Sequence, residues 1–464
     1  MNRIVIIGGG ISGLAAAHRV LELNQAAHVT ILEASDRLGG TIQTEHRDGF
    51  LIERGPDSFI SEKPHAIALA KRLGIEAQLI QTNEAYRRSF IVRDGRLRAV
   101  PEGFQLMAPS RMWPFITSDI FSITGKVRMA ADLLLPRRSA NGSTDESLAS
   151  FVRRRLGKEA LERMAQPMVG GIYTADPETL SLRATLPRFL DMELRHRSLI
   201  LAMARLGRAQ KTGTSGARYS LFLSFNQGMQ VLVDPLTRIN ADLRVNTRAQ
   251  RLTFDHEWTI TTDKDEQIKA DAVCLAVPAY VAATLLSETH EQLAQKLREI
   301  KYASTATINF GYRRAAIMHP LNGFGFVVPF VEKRSLIACT FSSVKFSGRA
   351  PDGHVLLRAF AGGALQPEIF ALDEAEMSRR VEADLRELLG ISEDPLFVEV
   401  AKWERSMPQY EVGHLDRVSE IEKLASGLPG LSLAGNAYRG AGIPDCVRSG
   451  EAAAEYLINH CASA

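Results

Sequence analysis

Gly8, Gly10 and Gly13 are spaced G-x-G-x-x-G, with Ser12 just before the last of them, and Glu33 follows farther on. Glycines at this spacing allow a tight turn, close backbone approach to a pyrophosphate and close packing of a helix on a strand. An acid about 20 residues on can accept hydrogen bonds from a ribose diol. The chemistry this set offers is dinucleotide binding, provided a strand leads into the glycines and a helix follows. Both are expected. Ile4-Val5-Ile6-Ile7 is a strand-like apolar run, and Ile11, Leu14, Ala17 and Leu21 recur at helical spacing. Val29-Thr30-Ile31-Leu32 is a second strand-like run and ends in Glu33. The start of that helix would offer free N–H groups and positive dipole charge to phosphates. A tight turn with no ligand is the alternative, and the surrounding pattern argues against it.

Three further segments suit a flavin held by its whole length. Glu33-Ala34-Ser35-Asp36-Arg37-Leu38-Gly39-Gly40 continues the second strand. Arg37 can contact phosphate, Ala34 follows the ribose acid, and Gly39 and Gly40 leave room for the cofactor. Gly55 and Pro56, in Glu53-Arg54-Gly55-Pro56-Asp57-Ser58-Phe59, make a stiff turn. Gly435 and Asn436 open a glycine-rich loop that reaches Gly442-Ile443-Pro444. Pro444 suits the first turn of a helix, where its missing N–H costs nothing. The positive end of that helix could face a flavin ring and stabilise negative charge there.

The elements that must position these residues are spread along the chain. Lys63 to Leu73 reads as a helix stopped at Gly74, and Arg88 to Val100 as a hairpin about Asp94-Gly95. Pro101 to about Lys211 is mainly helical in pattern, and Ser215 to Ala217 looks like a crossing between domains. Short strands follow at Arg248 to Leu252 and Trp258 to Thr261. The wholly apolar run Ala272 to Val277 fits a buried parallel strand. Thr305 to Ala361 is strand-rich, Ala375 to Leu389 is an amphipathic helix, and Leu431 to Gly435 is one more apolar strand. The expected fold is α/β (α+β overall). It has a discontinuous Rossmann-like FAD-binding domain (1–75, 214–285 and 425–464), a mixed-sheet substrate domain (76–103 and 286–424) and a helical domain (104–213).

With 464 residues, 45% of them hydrophobic, the chain can bury several cores. A net charge of +3 argues against a general nucleic-acid binder, so no nucleic-acid partner is expected. The charge is uneven: residues 101–213 carry 17 Lys and Arg against 11 Asp and Glu. That basic segment is either a solvated face or a surface that meets an anionic substrate or a membrane. Cys274, Cys339, Cys446 and Cys461 are widely separated and form no C-x-x-C pair. Neither a metal site nor a dithiol centre is expected, and reduced, buried thiols fit a cytoplasmic protein. The fingerprint starts too early to leave room for a signal peptide, and no run is long enough to span a bilayer. Any membrane contact would be peripheral.

Together these motifs resemble the flavin-dependent amine oxidase superfamily. Five segments narrow the resemblance to the porphyrinogen oxidases, the oxygen-dependent enzymes of late haem synthesis. They are Glu53 to Phe59, Gly170-Gly171-Ile172-Tyr173-Thr174-Ala175-Asp176-Pro177, His196-Arg197-Ser198-Leu199-Ile200, Gln409-Tyr410-Glu411-Val412-Gly413-His414 and Gly442 to Cys446. Their wording is similar to the form common in Gram-positive bacteria, which is associated with coproporphyrinogen III; protoporphyrinogen IX enzymes are more distant. The resemblance covers essentially the whole chain. It implies FAD, a porphyrinogen substrate and molecular oxygen, with a homodimer and contact with the inner face of the cell membrane as further family expectations. It adds Ala249 and Trp403 to the FAD contacts, with core packing the alternative for Trp403.

The implied reaction removes six hydrogens and six electrons from a non-planar macrocycle in three two-electron cycles, each yielding hydrogen peroxide. The protein's task is positioning, and no strong nucleophile or metal is called for. Three residues are candidates at the substrate. Asp57 would be either a buried carboxylate of raised pKa that relays a proton, or a turn cap bonded to backbone. Arg88 could meet a propionate, although protoporphyrinogen-type relatives place their arginine where this chain has Ser89. Gly171 would bring backbone close to the macrocycle, or serve packing alone. Arg183, Arg195 and Arg197 could pair with propionates or simply carry surface charge. Phe324, Phe326 and Phe341 could line a slot or fill a core. His414 and Cys446 read as structural. Another amine oxidase-superfamily enzyme, acting on amines or carotenoids, and a non-catalytic binding protein on the same scaffold remain open at this point.

Overall fold

The computed structural model describes residues 2–105, 107–137, 145–209 and 222–463. The expected crossing at Ser215 to Ala217 lies outside them.

The first layer is a parallel sheet of five strands in the order Asp242–Arg244, His28–Leu32, Arg3–Ile7, Ala272–Leu275, Leu431–Leu433. Three separate stretches of chain therefore meet in one sheet. Its strands are apolar throughout because both faces are covered. Ile4 and Ile6 point into the core beneath helices Ile11–Leu23 and Ile443–Ser463. Val5 and Ile7, the alternate residues, face the opposite core. That core is closed by the antiparallel strands Ala249–Asp255, Glu257–Thr262 and Gln267–Ala270 and by helices Ala279–Leu286 and Glu291–Arg298.

The second layer is a seven-stranded mixed sheet in the order Phe397–Pro408, Tyr302–Arg313, His354–Gly362, Ala338–Phe341, Gly325–Val327, Phe90–Arg93, Arg96–Ala99. Only the Gly325–Val327 and Phe90–Arg93 pair is parallel. Helix Glu374–Leu389 covers one face through Met377, Val381, Leu385 and Leu388, the stripe a 3.6-residue period produces. Asp373 caps its start by accepting from Glu376 N at 2.8 Å, and Gly390, at φ +65°, ends it.

Between Met112 and Ala209 the described chain is mostly helical and has its own core. It docks on the second layer where Ala364 N donates to Thr174 O at 2.8 Å and Val412 N donates to Thr179 O at 2.9 Å.

Candidate active site

The glycines of the N-terminal fingerprint divide by what surrounds them. A Cβ on Gly8 would stand 2.3 Å from Ala276 O, and one on Gly13 would stand 2.0 Å from Gly8 O, so both are needed for packing. A Cβ on Gly10 would meet nothing within 4 Å, and the same holds for Gly435. Gly442 has only Asp445 and Pro444 nearby, at 3.5 and 3.7 Å. Open space in front of bare backbone at these positions is a cradle, and it suits a dinucleotide. Gly10 and Gly39 bridge as parallel strands do, and Gly40 packs on Gly10, its would-be Cβ 3.1 Å from the Gly10 Cα. The first turn of helix Ile11–Leu23 has neither a side-chain cap nor an acid, which leaves its N–H groups for a pyrophosphate.

Helix Ile443–Ser463 crosses helix Ile11–Leu23 closely, Gly450 lying against the carbonyl of Ser12. Gly450 is two turns into its helix, so the two positive helix ends are separated by roughly 10 Å. One end can face the diphosphate and the other, carrying Ile443 and Pro444, the flavin ring. Glu33 accepts from Gly9 N at 2.7 Å and from Ser35 N and Oγ at 2.8 Å. It is thereby fixed beside the fingerprint with lone pairs left for a ribose. Ala34 lies between these partners. Thr247 N and Asn246 N donate to the carbonyls of Glu33 and Ser35, which brings the segment leading to Ala249 alongside. Arg37 is placed differently from the expectation that it reaches phosphate. It donates to the carbonyls of Gly40 and Ile42 at 2.6 and 2.7 Å and to Gln230 Oε1, and so braces the Gly39-Gly40 turn.

The Gly55-Pro56 turn is pinned through its carbonyls. Arg54 O accepts from Trp403 Nε1 at 2.9 Å and Thr307 Oγ1 at 2.6 Å, Gly55 O accepts from Arg358, and Asp57 O accepts from Ser224 Oγ at 2.7 Å. A Cβ on Gly55 would sit 1.6 Å from Thr41 O, so only glycine fits. Trp403 thus binds the turn through its indole N–H from a half-buried position.

The expectation of a raised pKa for Asp57 is corrected by its neighbours. Burial pushes the carboxyl up, but the charges of Lys345 and Arg358 and hydrogen bonds from Lys345 and Ser58 outweigh it and hold Asp57 well below the usual range. Lys345 Nζ is 2.9 Å from Asp57 Oδ2, and Ser58 Oγ donates to Oδ1 at 2.7 Å. Asp57 is a fixed anion and not a proton carrier. The titratable carboxyl nearby is Glu53, which burial pushes up to about 7 although Met229 N and Thr44 Oγ1 donate to it at 2.7 and 2.8 Å. Sequence reasoning missed Glu53, Lys345 and Arg358 as individuals, because lone cations on apolar segments carry no local signal.

Tyr410 secures the loop that begins at Gly435. Its hydroxyl donates to Asn436 O at 2.6 Å and accepts from Gly440 N at 2.9 Å. Its ring stacks on His414 with centroids 4.0 Å apart. Burial lowers His414 to about 4, and its Nε2 lies 2.8 Å from Tyr438 O, so the neutral ring donates there. His414 is structural, as its motif suggested, and Cys446 is a buried free thiol.

Helix Gln166–Tyr173 brings Gly171 to the edge of this region. Gly171 is exposed, and a Cβ there would meet only Val327 Cγ1 at 3.7 Å. Burial, with Asp445 close by, raises the Tyr173 phenol to about 12, which sets this helix end beside the start of helix Ile443–Ser463. Arg88 is exposed; its carbonyl accepts from Phe324 N, and Ser89 beside it is buried. Phe324, Phe326 and Phe341 are buried, and the last two pack edge to face. Arg183 pairs with Asp416, and Arg195 and Arg197 lie on the outer surface of the helical layer. No cluster of His, Cys, Asp or Glu suited to a metal is found among the described residues.

A discontinuous parallel sheet with this cradle defines a flavoprotein fold. The chain belongs to the flavin containing amine oxidoreductase family, whose model matches residues 11–458. It is 36% identical, over 99% of this chain and 98% of the relative, to the coproporphyrinogen III oxidase of Bacillus subtilis (strain 168). The chloroplastic protoporphyrinogen oxidase of Nicotiana tabacum is 31% identical over 96% of this chain and 83% of its own. A solved structure from Exiguobacterium sp. 255-15 superposes with a TM-score of 0.88 at 32% identity, over 98% of both chains.

Proposed function

We propose that this protein oxidises coproporphyrinogen III to coproporphyrin III in haem biosynthesis, with FAD as its cofactor and molecular oxygen as acceptor. The observation that carries the reading is the near-complete match to the Bacillus subtilis relative, combined with a cradle whose open glycines suit a dinucleotide. When bound, the flavin accepts two electrons at a time from the macrocycle and passes them to oxygen. The residues of the chain do the positioning. The pinned Gly55-Pro56 turn and the Tyr410-held loop form two fixed walls, and Gly171 lets backbone approach a large flat ligand from the helical layer. Arg88 offers an exposed guanidinium for a propionate at the rim. Asp57 keeps Lys345 in place. The domain boundaries drawn from the sequence and the remaining flavin contacts belong to the same proposal.

Among the described residues no helix is long and apolar enough to cross a membrane. We place the protein in the cytoplasm with peripheral contact to the inner face of the cell membrane, as a homodimer. The test of the function is steady-state oxidation of coproporphyrinogen III and protoporphyrinogen IX by the FAD-loaded protein in air. At least tenfold higher kcat/KM for coproporphyrinogen supports the proposal. Preference for protoporphyrinogen, the substrate named for the tobacco relative, would move the protein to the other branch. Oxidation of neither would overturn both.

A further inference from the structure

We infer that a cleft on the outer face of the helical layer binds the phosphate of an anionic phospholipid while an apolar ridge beside it enters the acyl region. The inference rests on the peripheral-membrane reading above and gives it a place and a ligand.

The cleft has a volume of about 560 Å³, and its charged lining is Arg137, Arg195, Arg197 and Arg205, with His196 and no carboxylate. Arg197 Nη2 donates to Leu133 O at 2.8 Å, which fixes it at one wall. Arg205 Nη1 lies 3.2 Å from His196 Nδ1, so it donates to a neutral imidazole. Arg137 and Arg195 have no ion-pair partner among the described residues. The acids closest to the cleft are turned inward. Glu193 binds Arg154 at 2.6 Å, and Asp132 is fully buried against Arg155. Four guanidinium groups brought together without counter-charge repel one another, and an external anion relieves that repulsion. Arginine is suited to phosphate because its planar donors match the oxygens in pairs.

The walls are built. Arg155, itself fully buried, donates to Pro136 O at 2.9 Å and to Arg197 O at 2.7 Å. Asp132 accepts from Ser198 Oγ at 2.6 Å and from Ile200 N at 3.1 Å. This buried pair ties the segment ending at Arg137 to the His196-to-Ile200 motif. Within that motif Ser198 faces inward, while His196 and Arg197 face the cleft. The flavin chemistry makes no use of the motif.

The ridge leads into the cleft. Ile123, Val127 and Leu134 are spaced i, i+4, i+11, which places them on one stripe, and they are 81%, 67% and 82% exposed. Trp113, 74% exposed, stands nearby, since Lys126 on the ridge helix donates to Ile116 O in the Trp113 helix at 2.7 Å. Leu134 belongs to both features, because it lines the cleft as well. An apolar stripe with tryptophan beside a cationic cleft matches an anionic bilayer surface, where apolar insertion and charge attraction act together. A soluble polyanion would use only the cleft.

The test is sedimentation of the FAD-loaded enzyme with phosphatidylcholine vesicles, with and without phosphatidylglycerol. Binding is expected only with phosphatidylglycerol. R137Q/R195Q/R205Q should weaken it at least about tenfold, on the basis of roughly a few-fold per cation near the surface. I123S/V127S/L134S should weaken it too, and both variants should keep wild-type porphyrinogen turnover. R251Q/R298Q/R379Q removes the same charge from exposed sites elsewhere and should bind as wild type. Equal binding to both vesicle types, lost only in the serine variant, would keep the membrane reading and overturn the phosphate site. Equal weakening by the two arginine variants would overturn it as well. Displacement from vesicles by millimolar glycerol phosphate would mean a site for a soluble phosphate instead of a lipid. Binding to no vesicle would overturn both readings and point to a protein partner for this face.

Discussion

Lys345 Nζ lies 2.9 Å from Asp57 Oδ2 and joins the short helix Ser342–Lys345 of the second layer to the turn that walls the flavin cradle. Both side chains are largely buried, so the pair is a tie between layers and not a surface ornament.

Breaking that tie leaves a buried charge alone. Lys345→Met should cost about 3 kcal/mol in urea unfolding at neutral pH, whereas Lys345→Arg should retain most of it. The pH dependence has a definite sign. Asp57 binds protons more weakly in the folded state than when free, so its stabilisation is complete above roughly pH 5 and is lost as the solution is acidified below that. Asp57→Asn should flatten the acid limb of the stability profile.

Glu53 has the opposite sign. Its folded pKa of about 7 lies above the ordinary 4.5, so its carboxyl favours folding when protonated and opposes it when ionised. Wild-type stability should fall between pH 5 and 8, by about 3 kcal/mol from this group. Glu53→Gln, which can keep the acceptor for Met229 N, should remove that slope and melt higher than wild type at pH 8.

Gly10 and Gly13 should separate binding from folding. Gly13→Ala drives a methyl into the carbonyl of Gly8 and should destabilise the protein by several kcal/mol, read as a fall in Tm. Gly10→Ala meets no protein atom, and Gly10 has φ −72°, so apoprotein stability should be unchanged. FAD affinity should drop at least tenfold, measured by recovery of flavin fluorescence on dilution.

Tyr410→Phe deletes the hydroxyl shared by Asn436 O and Gly440 N. The cost to stability should be about 1–2 kcal/mol. FAD should dissociate faster while the kcat of the flavin-loaded fraction stays within about threefold, because Tyr410 positions the loop.

Local signals were readable where one segment contained its own reason. The glycine turn, the Ala272-to-Leu275 strand and the Glu374–Leu389 helix each show their period and their end in a few residues. The Asp94-Gly95 hairpin pairs Arg93 with Arg96, as its turn implied. What the sequence concealed depends on distant partners. Asp57 reads as a carboxylate in a turn, and its charge state is set by Lys345 and Arg358, almost 300 residues away. Arg37 reads as a phosphate ligand until the carbonyls of Gly40 and Ile42 are seen to take its donors. Tyr410 lies in a recognised motif, but its task is visible only once Asn436 and Gly440 stand opposite its hydroxyl.

The central claim is that a porphyrinogen delivers its electrons to a flavin held in this cradle. Mixing the FAD-loaded protein with coproporphyrinogen III in the absence of oxygen tests it most directly. The account predicts that the yellow flavin absorbance bleaches with the substrate, and that admitting oxygen restores it and gives three peroxides for each porphyrin formed. Flavin that stays oxidised while coproporphyrinogen is present in excess would contradict it.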